Sequence, residues 1–173
     1  MREARAGDRD AIERVTLAAH QQYASLMPAL WDGYRENILS TLAAVRPEAQ
    51  ILAEEDERVI GSVLLYPAGT VVARSGGASI TLAWPEVRLL AVAPEARGRG
   101  VGVALMQECI RRARHAGAWA LTLHATEQAS PTVAGDQVRY RTRCLPRGDA
   151  GDMVLGRDRD GAWKVLCFGS CPA

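Results

Sequence analysis

The chain has 173 residues, of which 48% are hydrophobic and 24% charged, and its formal net charge is +1. This composition is typical of a globular protein long enough to bury a hydrophobic core, and we expect one domain over residues 1–173. The near-neutral charge gives no reason to expect a nucleic-acid partner. No apolar run reaches the roughly 18 residues of a membrane span, and the charged start lacks the apolar segment of a signal peptide.

The first part of the chain predicts two helices and a hairpin. Residues 8–20 place apolar side chains at helical spacing behind Asp8, which can cap the helix. Residues 25–42 carry a second apolar stripe, with Pro28 in its predicted first turn. Residues 51–66 predict a β-hairpin because two apolar runs flank an acidic tip, which we interpret as a solvated turn. The Gly-rich segment that follows, 67–77, predicts a loop.

The middle of the chain predicts a strand, a long helix and a second strand. Residues 86–92 form a compact apolar strand that ends before Pro94. Residues 100–116 have the spacing of an amphipathic helix that ends at a glycine, and residues 119–124 predict the next strand. A strand–helix–strand order at this spacing implies a crossover connection in a mixed α/β sheet.

The segment Arg97–Gly102 lies between that strand and that helix, where unpaired backbone N–H groups and the helix dipole favour an anion. Its glycines let the backbone approach a phosphate closely, and residues 97–114 contain five arginines but one glutamate. The Gly-Lys-Ser/Thr of a Walker A motif is missing, and Val103 stands where a GxGxxG fingerprint needs its third glycine. The spacing by itself therefore leaves open a pyrophosphate site or a purely structural turn.

The positions Arg97, Gly100 and Gly102 supply, in register, the pattern Arg/Gln-x-x-Gly-x-Gly/Ala of the GNAT superfamily of acetyl-CoA-dependent N-acetyltransferases. The chain resembles this family from Arg2 to about Thr126, including the strand end and loop at residues 90–94. The resemblance implies a single-domain, mixed, mostly antiparallel central sheet flanked by helices, with splayed fourth and fifth strands. It also implies direct transfer of acetyl from acetyl-CoA, the co-substrate, to a small-molecule or peptide amine.

The same resemblance implies the residues of the site. Glu86 heads the fourth strand, where family members often carry a glutamate base, although it could equally be a solvated strand-end residue. Tyr140 is the nearest match to the family's tyrosine acid, but the motif around it is not conserved in this sequence, so it could instead be a surface or core tyrosine. The pantetheine arm would bind the strand backbone and the pyrophosphate the glycine loop, which together comprise Leu90, Ala91, Val92, Arg97, Gly98, Arg99, Gly100, Val101 and Gly102.

The C-terminal part, residues 127–173, departs from the family. We interpret it as diverged or as a shifted reading frame, although residues 152–168 can form a hairpin with a turn at Asp160–Gly161. On the acceptor side, Trp31 and Tyr34 of the second helix could line the amine site or belong to the core. Asp32, Glu36 and Glu86 could attract a cationic amine.

Two alternatives to the enzyme are a non-catalytic acetyl-CoA-binding module whose altered tail has lost the acid, and a nucleotide-binding protein that uses the same glycines. No metal is expected, because the three histidines are dispersed and Cys167, Cys171 and His124 match no zinc spacing. The four cysteines form no CxxC pair, and a reduced cytoplasm is the expected location. No membrane partner is expected, and a homodimer is possible because dimers are common in the family.

Overall fold

The computed structural model describes residues 1–26, 28–73, 79–118, 120–125, 151–157 and 163–167. The chain divides into two compact units. The first comprises Met1–Leu65 and Leu89–Leu105, and the second comprises Tyr66–Arg88 and Met106–Ala173.

The first unit begins with strand β1 (Arg2–Glu3), which was not predicted. Helix α1 (Arg9–His20) follows, as the apolar spacing predicts. Asp8 occupies the N-cap position of α1 but makes no capping hydrogen bond. Its carboxylate instead accepts hydrogen bonds from the backbone N–H of Arg5 and the guanidinium of Arg2. Because of these contacts the pKa of Asp8 is lowered to about 2. The predicted helix cap is therefore wrong, and Asp8 fixes the turn that joins β1 to α1.

The predicted second helix is divided into two. Helix α2 (Tyr23–Leu26) is short, and helix α3 (Trp31–Ala44) begins only after Pro28, which therefore lies between helices rather than in a first turn. Proline disfavours helical geometry in the residue before it, so a helix arriving from its N-terminal side ends there. Of the predicted stripe, Ile38 and Leu42 are buried, whereas the Leu30 side chain is 65% exposed.

The predicted hairpin is confirmed as strands β2 (Gln50–Glu55) and β3 (Arg58–Tyr66), which pair antiparallel. Its two-residue turn, Asp56 and Glu57, has positive φ at both positions, which suits the twist of the flanking strands. The acidic tip is exposed, in agreement with the prediction, although Glu54 pairs with Arg2 and Glu55 with Arg99.

Strand β6 (Glu86–Val92) and helix α4 (Val101–His115) agree with the predicted strand and helix, and both contribute residues to the two units. In the first unit the start of α4 packs on β3 at Gly61. A Cβ built on Gly61 would lie 3.0 Å from Val101 Cγ1, 3.0 Å from Leu105 Cδ1 and 3.2 Å from the Ala91 carbonyl oxygen. This glycine therefore permits the close approach of helix and strand that positions the α4 N-terminus.

The second unit contains a hairpin where a loop was predicted, because β4 (Val71–Ala73) pairs with β5 (Ser79–Thr81). Strand β7 (Ala120–Ala125) pairs antiparallel with β8 (Gly151–Arg157), and β8 with β9 (Trp163–Cys167). The last pair confirms the predicted tail hairpin, although its turn lies outside the described residues. Helix α4 ends at His115, and Gly117 follows with a φ of 77°. The backbone N–H groups of Gly117 and Ala118 donate to carbonyls of the last turn, which confirms the predicted glycine stop.

The strands form a mixed sheet, which confirms the predicted α/β class. The hydrogen-bonded order is β1-β2-β3-β6 in the first unit and β6-β7-β8-β9 in the second. Strands β6 and β7 are parallel, whereas the pairs β1–β2, β2–β3, β7–β8 and β8–β9 are antiparallel. The β6–β7 ladder contains the pairs Glu86–Thr122 and Val87–Leu123. These are the pairs of the ladder in the described part of the chain, and β6 continues to Val92. The splay of the fourth and fifth strands stays a prediction.

Candidate active site

The glycine loop, Arg97–Gly102, joins a short 3-10 turn (Pro94–Ala96) to the first residues of α4. Gly98 and Gly100 have φ of 74° and 80°, in the left-handed region that residues with a Cβ rarely adopt. Apart from the adjacent residues in the chain, no atom of the described residues lies within 4 Å of a Cβ built at either position. Ala104 N–H donates to Gly100 C=O, so the N–H groups of residues 101–103 precede the helical ladder. The loop therefore offers open space beside unpaired helix N–H groups.

The two arginines of the loop contact other parts of the first unit. Arg97 Nη2 donates to the Ala19 carbonyl at 2.7 Å, and Nη1 lies 3.4 Å from Gln22 Oε1. That carbonyl belongs to the last turn of α1, where helices have unpaired acceptors and the negative end of their dipole. The Arg99 guanidinium pairs with both carboxylate oxygens of Glu55. The side chains thus tether the loop to α1 and to the β2–β3 turn.

His20 lies beside this tether, in the last turn of α1. A carbonyl can only accept a hydrogen bond, so the 2.7 Å contact with the Thr16 carbonyl requires a proton on His20 Nδ1. Burial lowers the pKa of the imidazole, and the charge of Arg97 lowers it further. A neutral His20 is therefore favoured next to the Arg97 guanidinium.

Beyond Arg88, the backbone groups on one edge of β6 face β3, and those on the other edge point away from it. The Ala91 carbonyl faces Gly61 of β3, and the Ala93 N–H donates to the Ile60 carbonyl at 2.8 Å. Since backbone groups alternate along a strand, those of Leu90 and Val92 point to the opposite edge. Leu89 has a φ of 49°, unusual for a bulky residue within a strand and typical of a bulge that redirects the backbone.

The start of β6 carries a buried charged cluster in the second unit. Glu86 is 2% exposed, and its carboxylate accepts a charge-assisted hydrogen bond from Arg88 Nε. The Arg88 guanidinium carbon lies 5.6 Å from the ring centroid of Tyr66, within cation–π range. Burial raises the pKa of Tyr66, the nearby Arg88 opposes this, and Glu86 adds to it. The Glu86 side chain is therefore not the solvated strand-end residue of the alternative interpretation.

The predicted acceptor-side aromatic residues belong to a ring cluster of the first unit. The Tyr34 ring centroid lies 5.8 Å from Tyr23, 5.9 Å from His20 and 6.3 Å from Trp31. Burial raises the pKa of Tyr34 to about 12, so its hydroxyl stays protonated at neutral pH. Asp32 and Glu36, on the same helix, are exposed.

The predicted binding residues Leu90–Val92 and Arg97–Gly102 all lie in the first unit, and a Cβ on Gly102 would contact Val92 Cγ2 at 3.5 Å. Glu86 lies in the second unit, and Tyr140 lies outside the described residues. Arg88 was not predicted as part of the site, although residues two apart on a strand share a face, which would have suggested its pairing with Glu86. The tethers of Arg97 and Arg99 were not predicted either, because no local sequence pattern indicates them.

Cys109 is fully buried, and burial raises its thiol pKa to about 12, so it is a core residue. Among the described side chains, no three His, Cys, Asp or Glu residues converge as metal ligands would. None of the described helices combines the length and apolar character that crossing a membrane requires.

Solved structures share this fold. A GNAT family acetyltransferase from Brucella melitensis, in complex with acetyl-CoA, is 26% identical, with a TM-score of 0.54 over 86% of this chain and 92% of that chain. A Pyrococcus horikoshii protein is 16% identical over 73% of this chain, with a TM-score of 0.52. A GCN5-related N-acetyltransferase from Anabaena variabilis is 17% identical over 73%, with a TM-score of 0.50. This chain spans 38% and 28% of those two proteins.

Of the two sequence comparisons, the one with protein families agrees with the structural matches. No curated protein matches the chain. The model of the acetyltransferase (GNAT) family matches residues 12–134, which is more than half of the 173 residues and includes β6, the glycine loop and α4. The chain therefore belongs to the GNAT family of acetyltransferases.

Proposed function

We propose that the protein transfers an acetyl group from acetyl-CoA to the nitrogen of an amine, on a small molecule or a peptide. The observation that carries this proposal is the glycine loop: two left-handed glycines face open space at the first turn of α4. The Brucella melitensis relative was solved with acetyl-CoA, and 92% of its length aligns with this chain.

The pyrophosphate of the co-substrate would bind the glycine loop. The backbone N–H groups of residues 101–103 have no acceptor in the helix, and the positive end of the helix dipole favours an anion there. Gly98 and Gly100 leave room for phosphate oxygens to reach those groups. The Arg97 and Arg99 side chains have further N–H donors beyond those bonded to Ala19 and Glu55, and each would add positive charge.

The pantetheine arm would lie along β6. Leu90 and Val92 direct their backbone groups away from β3, so they would donate to and accept from the amides of the arm as an added strand does. Ala91 faces β3 with its carbonyl and would contribute its position rather than a hydrogen bond. When bound, acetyl-CoA supplies a thioester whose carbonyl carbon the amine attacks.

Glu86 would act as the general base. The attacking amine must lose a proton as its bond to the acyl carbon forms and the bond from that carbon to sulfur breaks, and a buried carboxylate can take that proton directly or through water. Arg88 would hold the Glu86 carboxylate in place. The thiolate that leaves needs a proton, and Tyr140 is the candidate that the family resemblance provides for it.

The experiment has two stages. Thermal unfolding is followed with acetyl-CoA at millimolar concentration, with ATP and NAD as controls; a ligand at about 100 times its Kd stabilises by about 2.7 kcal/mol. Free thiol release is then measured with a panel of amines. Stabilisation by acetyl-CoA but no turnover would favour the non-catalytic module, whereas equal stabilisation by ATP or NAD would favour the nucleotide-binding alternative.

The base is tested separately by Glu86→Gln, with exposed Glu48→Gln as the matched control. We expect Glu86→Gln to lower kcat about 10²–10⁴-fold while the KM for acetyl-CoA is unchanged. Thermal unfolding of the variant in parallel separates lost chemistry from lost folding, because Arg88 loses its charged partner. Unchanged kcat would remove Glu86 from the mechanism and leave the acetyl-CoA site untouched.

A further inference from the structure

A small cavity of about 170 Å³ lies in the first unit, next to the first turns of α1. The last turn of α3 and the start of β2 form its other walls. Its apolar lining residues include Ile12, Leu42 and Val45. Its polar lining residues include Arg5, Arg9 and Gln50.

Gln50 is the unusual member of this lining. The residue is 5% exposed, and its side-chain Oε1 is buried without a hydrogen-bond partner among the described residues. Its backbone is fixed, because it pairs with Leu64 in β3 and its carbonyl accepts from the Ala4 N–H at 3.0 Å. A buried amide oxygen without a donor destabilises a fold. A ligand in the cavity that carries an N–H group would supply the missing donor.

The charged residues that line the cavity indicate which other groups such a ligand would carry. Arg5 and Arg9 are exposed cations, and the Arg9 Nε contacts Glu13 Oε1 at 3.3 Å, which leaves its two Nη groups for another acceptor. A guanidinium is suited to binding a carboxylate through two hydrogen bonds. Glu13 also lines the cavity and would attract a positive charge next to the Gln50 oxygen.

We propose that this cavity binds a small aliphatic α-amino acid. Its carboxylate would bind Arg5 and Arg9, its ammonium would donate to Gln50 Oε1 and pair with Glu13, and its side chain would pack on Ile12, Leu42 and Val45. The site is separate from the glycine loop. Arg9 and Ala19, whose carbonyl binds Arg97, are ten residues apart on α1, or about 15 Å along the helix.

The first test uses the wild-type protein and three ligands followed by calorimetric titration. L-valine carries all three groups, 3-methylbutanoate lacks the ammonium, and isobutylamine lacks the carboxylate. We expect L-valine to bind and each analogue to bind at least about tenfold more weakly, because each leaves one buried or charged partner unpaired. No heat from L-valine, or equal affinity for all three, would overturn the proposal and leave a cavity that holds water.

The second test uses variants of the lining. Gln50→Leu is expected to raise the melting temperature without ligand, because it removes the unpartnered oxygen, and to weaken L-valine binding at least about tenfold. Arg9→Ala should weaken L-valine as well, whereas Arg14→Ala, an exposed arginine of α1 outside the cavity lining, should not. Stabilisation by acetyl-CoA should be unchanged in Arg9→Ala. Undiminished L-valine binding by Gln50→Leu or Arg9→Ala would overturn the proposal.

Discussion

Two regions of the first unit depend on glycine for opposite reasons. In the glycine loop, Gly98 and Gly100 have positive φ and face open space. In β3, Gly61 lies where a Cβ would come within 3.0 Å of two side chains of α4. The loop needs glycine for its backbone conformation and for room beside the helix N-terminus, whereas the strand needs it so that the helix can approach at all.

The candidate site depends on glycines of both kinds. Gly61 brings α4 onto the sheet, and the first turn of that helix carries the N–H groups that we propose for phosphate binding. A change at Gly61 should therefore act through folding, and a change at Gly100 mainly through ligand binding. Gly102 differs from both, since a Cβ there would make an ordinary 3.5 Å contact with Val92.

The largest effect is expected for Gly61→Val. The new side chain must displace Val101 and Leu105, and Leu105 is fully buried, so the free energy of unfolding should fall by about 3 kcal/mol. Urea unfolding measures this. A loss below about 1 kcal/mol would mean that the α4 N-terminus adjusts easily, and the packing role of Gly61 would then be wrong.

The next effect distinguishes two glycines of the loop. Gly100→Ala forces a Cβ into the left-handed region and should lower the free energy of unfolding by about 1–2 kcal/mol, besides weakening acetyl-CoA binding. Gly102→Ala has no such strain and should leave both nearly unchanged. Calorimetric titration with acetyl-CoA and urea unfolding of both variants make the test. Equal Kd values for the two variants would contradict the assigned role of Gly100.

The loop was predictable from sequence and its surroundings were not. Glycine spacing next to an amphipathic helix is a local pattern, so the strand, the loop and α4 were located within one residue. The tethers of Arg97 to Ala19 and of Arg99 to Glu55 join residues 78 and 44 positions apart, and no periodicity encodes such a pair. The interruption between α2 and α3 at Pro28 was not predicted, because the apolar spacing of α3 extends to residues before the proline. Proline interrupts a helix through backbone sterics, which the spacing of hydrophobic residues does not report.

A pH-dependent prediction concerns the tether of the loop. The pKa of His20 is lowered from 6.5 in the folded protein, so below pH 6.5 the unfolded chain binds a proton that the folded chain resists. Stability should therefore fall as the pH decreases below 6.5, until the folded-state pKa is reached. One group contributes at most about 1.4 kcal/mol per pH unit.

The measurement compares urea unfolding of wild type and His20→Gln at pH 7.5 and 5.5. Glutamine can donate to the Thr16 carbonyl but does not titrate, so the variant should lose less stability on acidification than wild type. The same loss in both proteins would show that His20 does not respond to pH in this way.

The smallest expected effect is an increase in the free energy of unfolding. It tests whether open space beside a glycine is enough to identify a binding site. Gly33 lies within α3, and its φ is not positive. Apart from the adjacent residues and the backbone of its own helix, no atom of the described residues lies within 4 Å of a Cβ built there. Glycine in a helix lowers stability relative to alanine, so Gly33→Ala should raise the free energy of unfolding by about 0.5–1 kcal/mol without altering the Kd for acetyl-CoA. Gly33 and Gly100 both face open space, but only Gly100 combines it with positive φ at a helix start. If Gly33→Ala weakened acetyl-CoA binding as much as Gly100→Ala, that combination would not identify the phosphate site.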